Sequence, residues 1–244
     1  MRKMLQSVSV VFIAVALLAA PLLAQAGGGQ GGELKQKLAA LKQAAAQNKQ
    51  RLQQYQWVET MQVTLKGEPK PPKQNLCRYG ADGQIQKVPI GEPQQQQQQQ
   101  DSGRRGRLKE KVIEKKTEEM QDYMGQVKSL LALYVPPDSQ RMQKAFQAGN
   151  ASLNPGAGSV ANLVFKNYAQ PGDQMIIAFD TTAKKIQSVN VNTYMGETKD
   201  AVTLAVQFAT LPDGTSYPQQ TVLDAKAKQL QVTTTNSQYS KLSQ

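Results

Sequence analysis

Hydrophobic residues in this chain repeat with two periods in alternating blocks. From Glu33 to Gln54 the spacing is helical: Leu34, Leu38, Leu41, Ala45, Leu52 and Tyr55 fall near one face. Lys35, Gln36, Lys42, Gln43 and Lys49 fill the other positions, and most residues in the block are good helix formers. The pattern predicts one amphipathic helix of about five or six turns. Its apolar stripe is modest, so it needs a surface to lie on. At Trp57 the period becomes two. Trp57, Met61, Val63 and Leu65 share one parity, with Val58, Thr60, Gln62 and Thr64 on the other, which is a strand. The prolines of Gly67-Glu68-Pro69-Lys70-Pro71-Pro72 read as a loop, because proline cannot donate to a ladder. Further strands are expected over about Gln74–Tyr79 and Gln84–Val88, joined by the hairpin signal Gly80-Ala81-Asp82-Gly83.

Apolar residues then almost vanish between Gly91 and Arg107, a stretch that contains seven consecutive glutamines, Gln94–Gln100. Nothing there can be buried to offset the entropy of ordering, so residues 91–107 read as a disordered linker. Helical spacing returns with Ile113, Thr117, Met120, Met124, Val127, Leu131 and Tyr134, widened by Tyr123 and Leu130. Pro136-Pro137 ends this helix. Asp138 or Ser139 can cap a shorter one carrying Met142, Ala145 and Phe146 and ended by Gly149. The last third alternates again. Its strands carry Leu163-Val164-Phe165, then Met175, Ile177 and Phe179, then Lys185–Thr193, then Val202, Leu204, Val206 and Phe208, then Val222-Leu223, then Leu230 and Val232. Short connections make sequential antiparallel neighbours. The expected fold is α+β: a curved antiparallel sheet of about nine strands, an unclosed barrel, packed on amphipathic helices.

The first 26 residues stand apart. Arg2 and Lys3 precede the apolar run Val8–Leu23, and Ala24-Gln25-Ala26 is a small-x-small cleavage site. This order is that of a secretory signal peptide. The expectation is an exported protein, periplasmic or in the cell envelope, soluble after cleavage near Ala26. Residues 27–32 would form a flexible glycine-rich leader, and 33–244 a single domain. Cys77 is the lone cysteine, so there is neither a cysteine to acylate after Ala26 nor an internal disulfide. It reads either as a small buried residue or as a reactive thiol.

Charge and composition narrow the chemistry. Lys and Arg number 29 against 18 Asp and Glu; without Arg2 and Lys3 the balance is +9. In an exported protein this excess points away from nucleic acid and toward anionic lipid head groups, through Arg104, Arg105 and Arg107, or to solubility alone. There is no histidine. That removes Ser-His-Asp and Cys-His catalysis and histidine-ligated zinc, and no cofactor is expected. The aspartates at turns, Asp82, Asp173, Asp180, Asp213 and Asp224, are of the kind that bond local backbone.

Three features resemble the periplasmic LolA-type lipoprotein carriers and their LppX-like relatives. A leucine-bearing helix runs into an aromatic strand start, Leu52-Gln53-Gln54-Tyr55-Gln56-Trp57. A helical insert interrupts the sheet. The final strands read Leu211-Pro212-Asp213-Gly214-Thr215-Ser216-Tyr217-Pro218, Thr221-Val222-Leu223-Asp224, Leu230-Gln231-Val232 and Asn236-Ser237-Gln238-Tyr239. The resemblance implies an unclosed barrel, lidded by helices, that carries acyl chains in an apolar cavity. It carries over no site residue, since the family's functional arginine has no counterpart to match here. The first expectation is therefore a non-enzymatic carrier of a lipid or acylated ligand. Its lining would come from Trp57, Met61, Val63, Leu65, Met120, Met124, Leu131, Phe165, Met175, Ile177, Leu204 and Val206, with Val202, Phe208 and Val232 as further candidates. The alternatives are an envelope structural or interaction protein with a filled core, and a histidine-independent hydrolase.

Overall fold

The structure, a computed structural model, describes residues 30–91, 104–135 and 137–242. The signal segment, most of the glutamine-rich linker, and the side chains of Leu34, Leu38, Leu41, Ile113 and Thr117 lie outside the described residues. The first helix, α1, spans Gln30–Leu52. It starts ahead of the expected Glu33, so Gly31 and Gly32 belong to its first turn rather than to a leader. Strands β1 (Tyr55–Leu65), β2 (Glu68–Pro69), β3 (Lys73–Tyr79) and β4 (Ile85–Ile90) follow. Then come α2 (Arg104–Leu131) and α3 (Ser139–Gln147). The rest is strand: β5 (Ala151–Pro155), β6 (Val160–Lys166), β7 (Gln174–Asp180), β8 (Lys185–Tyr194), β9 (Ala201–Thr210), β10 (Ser216–Ala225) and β11 (Leu230–Lys241).

All eleven strands form one antiparallel sheet in the order β4-β3-β1-β11-β10-β9-β8-β7-β6-β5, with β2 beside β1. The first and last strands, β1 and β11, are therefore neighbours, and the β1–β3–β4 hairpins extend the C-terminal meander. Edges β4 and β5 do not pair among the described residues, so the barrel is unclosed as expected. Register shifts at Gln56/Val58, Ala178/Phe179 and Pro218/Gln220 mark bulges, which bend strands and increase local twist.

The strand count differs from nine at two places, β2 and β5. Both are short: β2 is a Glu-Pro pair with no alternation, and β5 alternates only through Ala151 and Leu153, too few residues to stand out. β4 also runs through Pro89, which pairs with Asn75, because an edge strand has one side on which no donor is needed. Arg104–Arg107 lie at the start of α2 rather than in the linker.

Alternation sets the inner face. On β7 every second residue is buried, and Phe165, Met175 and Ile177 have no exposed surface. Each such side chain stabilises the fold by about 1.5–3 kcal/mol. α2 lays Tyr123, Met124, Val127 and Leu131 onto this face, and α3 adds Met142 and Ala145. Asp138 caps α3, accepting from Arg141 N at 2.8 Å. Gly149 follows that helix at φ 72°, a left-handed position that glycine adopts without a Cβ penalty.

Candidate functional site

α1 packs on the same sheet beside the other helices but fills its space differently. Its inward positions around residues 40, 44, 48 and 52 follow helical spacing and carry Ala40, Ala44, Asn48 and Leu52. Asn48 pins the helix to the start of β10: its Nδ2 donates to Ser216 O at 2.7 Å, and Ser216 N donates to its Oδ1 at 2.7 Å. Leu52 is buried. The alanines Ala40 and Ala44 have short side chains and fill little of the space between helix and sheet. A cavity of about 480 Å3 remains, lined by Ala40, Ala44 and Leu52 on one side and by Ile186, Val189, Val206 and Phe208 on the other. Tyr79, Val135 and Pro137 also contribute to the wall, while Lys49, Arg51, Lys184 and Lys185 are the charged residues of its lining. The volume falls within the ~300–1,000 Å3 typical of small-molecule sites.

The structure redistributes the lining expected from sequence. Val206 reaches this cavity, as does Phe208. Met61, Met124, Leu131, Phe165, Met175, Ile177 and Leu204 pack into the main core instead, as do Val202 and Val232, and Val63, Leu65 and Met120 lie against its margin. Under α2 and α3 the concave face is filled, because Met, Val, Leu and Tyr side chains are long enough to meet the sheet. Trp57 also points inward, but into an aromatic cluster. It stacks on Tyr239 at 5.5 Å with planes 12° apart, lies 5.6 Å from Tyr79, and donates from Nε1 to Asn236 Oδ1 at 3.1 Å.

Next to that cluster, β1, β3 and β4 bury an ion pair. Lys87 Nζ lies 2.7 and 2.6 Å from the two Glu59 carboxylate oxygens, and Asn75 Nδ2 donates to Oε1 at 3.3 Å. Register places Cys77 between Trp57 and Lys87 on neighbouring strands, fully buried. Burial pushes its thiol up to about 12, with the Glu59 charge adding and Lys87 opposing. Such a thiol stays protonated at neutral pH and makes a poor nucleophile.

A second buried carboxylate, Asp173, organises the β6–β7 turn. It accepts from the backbone N–H groups of Tyr168 at 2.5 Å, Ala169 at 2.8 Å and Gln170 at 2.8 Å, and from the Tyr134 hydroxyl at 2.6 Å. The Tyr134 hydroxyl is also 2.7 Å from Thr193 Oγ1. With the tyrosine proton given to Asp173, Thr193 donates to Tyr134, and Gln170 Nε2 donates to Thr193 at 2.7 Å. The chain of bonds fastens the end of α2 to the sheet. Burial, with the Asp173 bond second, holds the Tyr134 hydroxyl above its ordinary range. Asp213 at the β9–β10 turn accepts from Tyr55 OH at 2.6 Å and from Thr215 N at 3.0 Å. The Tyr55 bond comes first among the causes that depress its carboxyl to about 2.

Asp173, Asp180 and Asp213 thus bond turn backbone, as their turn positions imply. Among the described residues no group of three His, Cys, Asp or Glu converges as a metal site. No helix there is long and apolar enough to cross a membrane. The arrangement offers a partly open, mostly apolar cavity with a cationic rim. Sequence reasoning missed Ala40, Ala44, Asn48, Lys184 and Lys185. Ala40 and Ala44 lie off the stripe read from the sequence, in which Ala45, also in the cavity lining, was the one small residue to signal room beneath the helix.

Comparisons with family models and with curated proteins find no match. Among solved structures, the chain is similar to a DUF1329 family protein from Desulfovibrio piger. The TM-score is 0.39 and the identity 7%, over 86% of this chain and 95% of that one.

Proposed function

We propose that this is an exported, non-enzymatic carrier that holds a lipid or other hydrophobic ligand between α1 and the concave face of the sheet. One observation supports it above others: the 480 Å3 cavity beneath α1, with Val189, Val206 and Phe208 in its wall. The LolA-like pattern of the sequence agrees with that reading, with the ligand under the first helix rather than beneath α2. Contact with an anionic membrane surface through Arg104, Arg105 and Arg107 belongs to the same proposal, since ligand transfer needs a membrane encounter.

The test is native mass spectrometry of residues 27–244 purified from the envelope, with organic extraction. A co-purifying lipid supports the carrier. A clean apo mass, with no uptake of the neutral dye Nile red, overturns it. One feature favours a second reading, an interaction protein. Leu76, Val88 and Ile90 are exposed, and register puts them together on the face of β3–β4 opposite Cys77. An apo protein that elutes as a stable complex with an envelope component supports that reading.

A further inference from the structure

The lining of the α1 cavity includes four cations, Lys49, Arg51, Lys184 and Lys185, and no carboxylate. They come from two separate elements. Lys49 and Arg51 sit in the last turn of α1; Lys184 and Lys185 sit at the turn from β7 into β8. None of the four makes an ion pair within 4.0 Å among the described residues. The acids at this end of the sheet are committed elsewhere. Asp180, the register partner of Lys185, accepts from Ser159 Oγ and from the N–H groups of Thr182 and Ala183 at 2.9 Å each. Asp213 holds Tyr55 and Thr215, and its cationic neighbour is Lys241 at 3.8 Å. Lys49 and Arg51 have a structural use, since cations favour a helix C-terminus. That reason does not extend to Lys184 and Lys185, whose positive charge faces the same space.

The other wall is apolar. Ile186, Val189, Val206 and Phe208 run from β8 to β9, with Ala40 and Ala44 opposite. A ligand that matches both regions has a hydrocarbon body and an acidic end. We infer that the cavity binds an anionic amphiphile with one acyl or alkyl chain. The carboxylate or phosphate head sits among Lys184, Lys185, Lys49 and Arg51, and the chain lies along Val189, Val206 and Phe208. This rests on the carrier reading above and adds the polarity and orientation of the ligand. A neutral lipid would leave the four cations without a partner, and a cationic one would be repelled.

The experiment compares probes that share one chain and differ in the head: palmitate, hexadecyl phosphate, hexadecanol and hexadecyltrimethylammonium. Binding to the processed chain is measured by Nile red displacement at submicellar concentrations, at low and at high salt. The expected result is that at least one acidic probe binds about tenfold or more tightly than hexadecanol, the worth of one charge-assisted contact. The preference shrinks as salt screens it. Which acid wins separates a free fatty acid from a lipid phosphate. In the double variant Lys184→Glu with Lys185→Glu, the acidic preference falls about tenfold or reverses, while hexadecanol binds as before. That unchanged binding, together with an unchanged circular dichroism spectrum, controls for folding. Equal binding of all four probes, or an acidic preference that survives the double variant and high salt, overturns the head-group assignment and leaves the carrier standing. Binding of none of them overturns both.

Discussion

Replacing Asp173 by asparagine preserves shape and removes one acceptor oxygen and the charge. The carboxylate takes Tyr168 N–H on Oδ1, and Ala169 N–H, Gln170 N–H and the Tyr134 hydroxyl on Oδ2. With its amide nitrogen in the Oδ1 position, asparagine turns a donor toward Tyr168 N–H. The three bonds on the remaining oxygen persist but lose charge assistance. An opposed buried donor costs about 1–3 kcal/mol, and a bond to a charged group exceeds a neutral one by roughly 1 kcal/mol. Asp173 is 2% exposed, so water cannot substitute without opening the turn. Asp173→Asn should therefore cost about 2–4 kcal/mol, and Asp173→Ala, which strands all four donors, about 3–5 kcal/mol. At about 2–4 °C per kcal/mol for a chain of this size, the asparagine variant lowers Tm by roughly 5–15 °C. Urea unfolding should show a lower midpoint at unchanged slope. A double-mutant cycle with Tyr134→Phe should give a coupling above about 0.5 kcal/mol. A loss within 0.5 kcal/mol for Asp173→Asn, or additive variants, would refute the idea that this carboxylate clamps α2 to the sheet.

Other outcomes follow from the same geometry. Asn48→Ala removes both bonds to Ser216 and should cost about 1–3 kcal/mol, with hydrogen exchange rising in α1 while the sheet keeps its protection; unchanged exchange in α1 would contradict the pin. Asp213 titrates at about 2 in the folded state, below the 3.8 of an ordinary aspartate. The unfolded chain therefore takes up the proton first, and the stabilisation is present above about pH 4 and lost as pH falls through about 2. Tyr55→Phe should move the Asp213 titration, followed by NMR, up toward 3.8, and a titration that stays near 2 would show that Tyr55 is not its main cause. Cys77, with its thiol near 12 and fully buried, should resist an aromatic disulfide reagent at pH 8 and react fully in denaturant. Reaction of the folded protein at the denatured rate would count against the buried assignment.

Local patterning already contained much of this architecture. The period-two runs of β6 to β9 name the residues that face inward, because side chains alternate across a strand whatever lies beyond it. The three-four spacing from Met120 to Tyr134 likewise marks the buried stripe of α2, and the acid before Ser139 marks its neighbour's cap. Alternation could not reveal the two-residue β2, is too brief in β5, where it rests on Ala151 and Leu153, and could not show the passage of β4 through Pro89, which depends on that strand lying at an edge.

The difference between filled core and empty cavity is of another kind. Trp57, Met61, Phe165 and Val206 all read as inward-facing, and all are. What each one meets depends on the length of the side chain opposite, supplied by a segment far away in sequence. Leu131 and Met124 belong to the packed core; Ala40 and Ala44, with short side chains, line the cavity. Sequence alone determined which face of each element is apolar, since that is a property of neighbouring residues. Only the tertiary structure decided which of those faces meet, because the space left between two surfaces is a property of both.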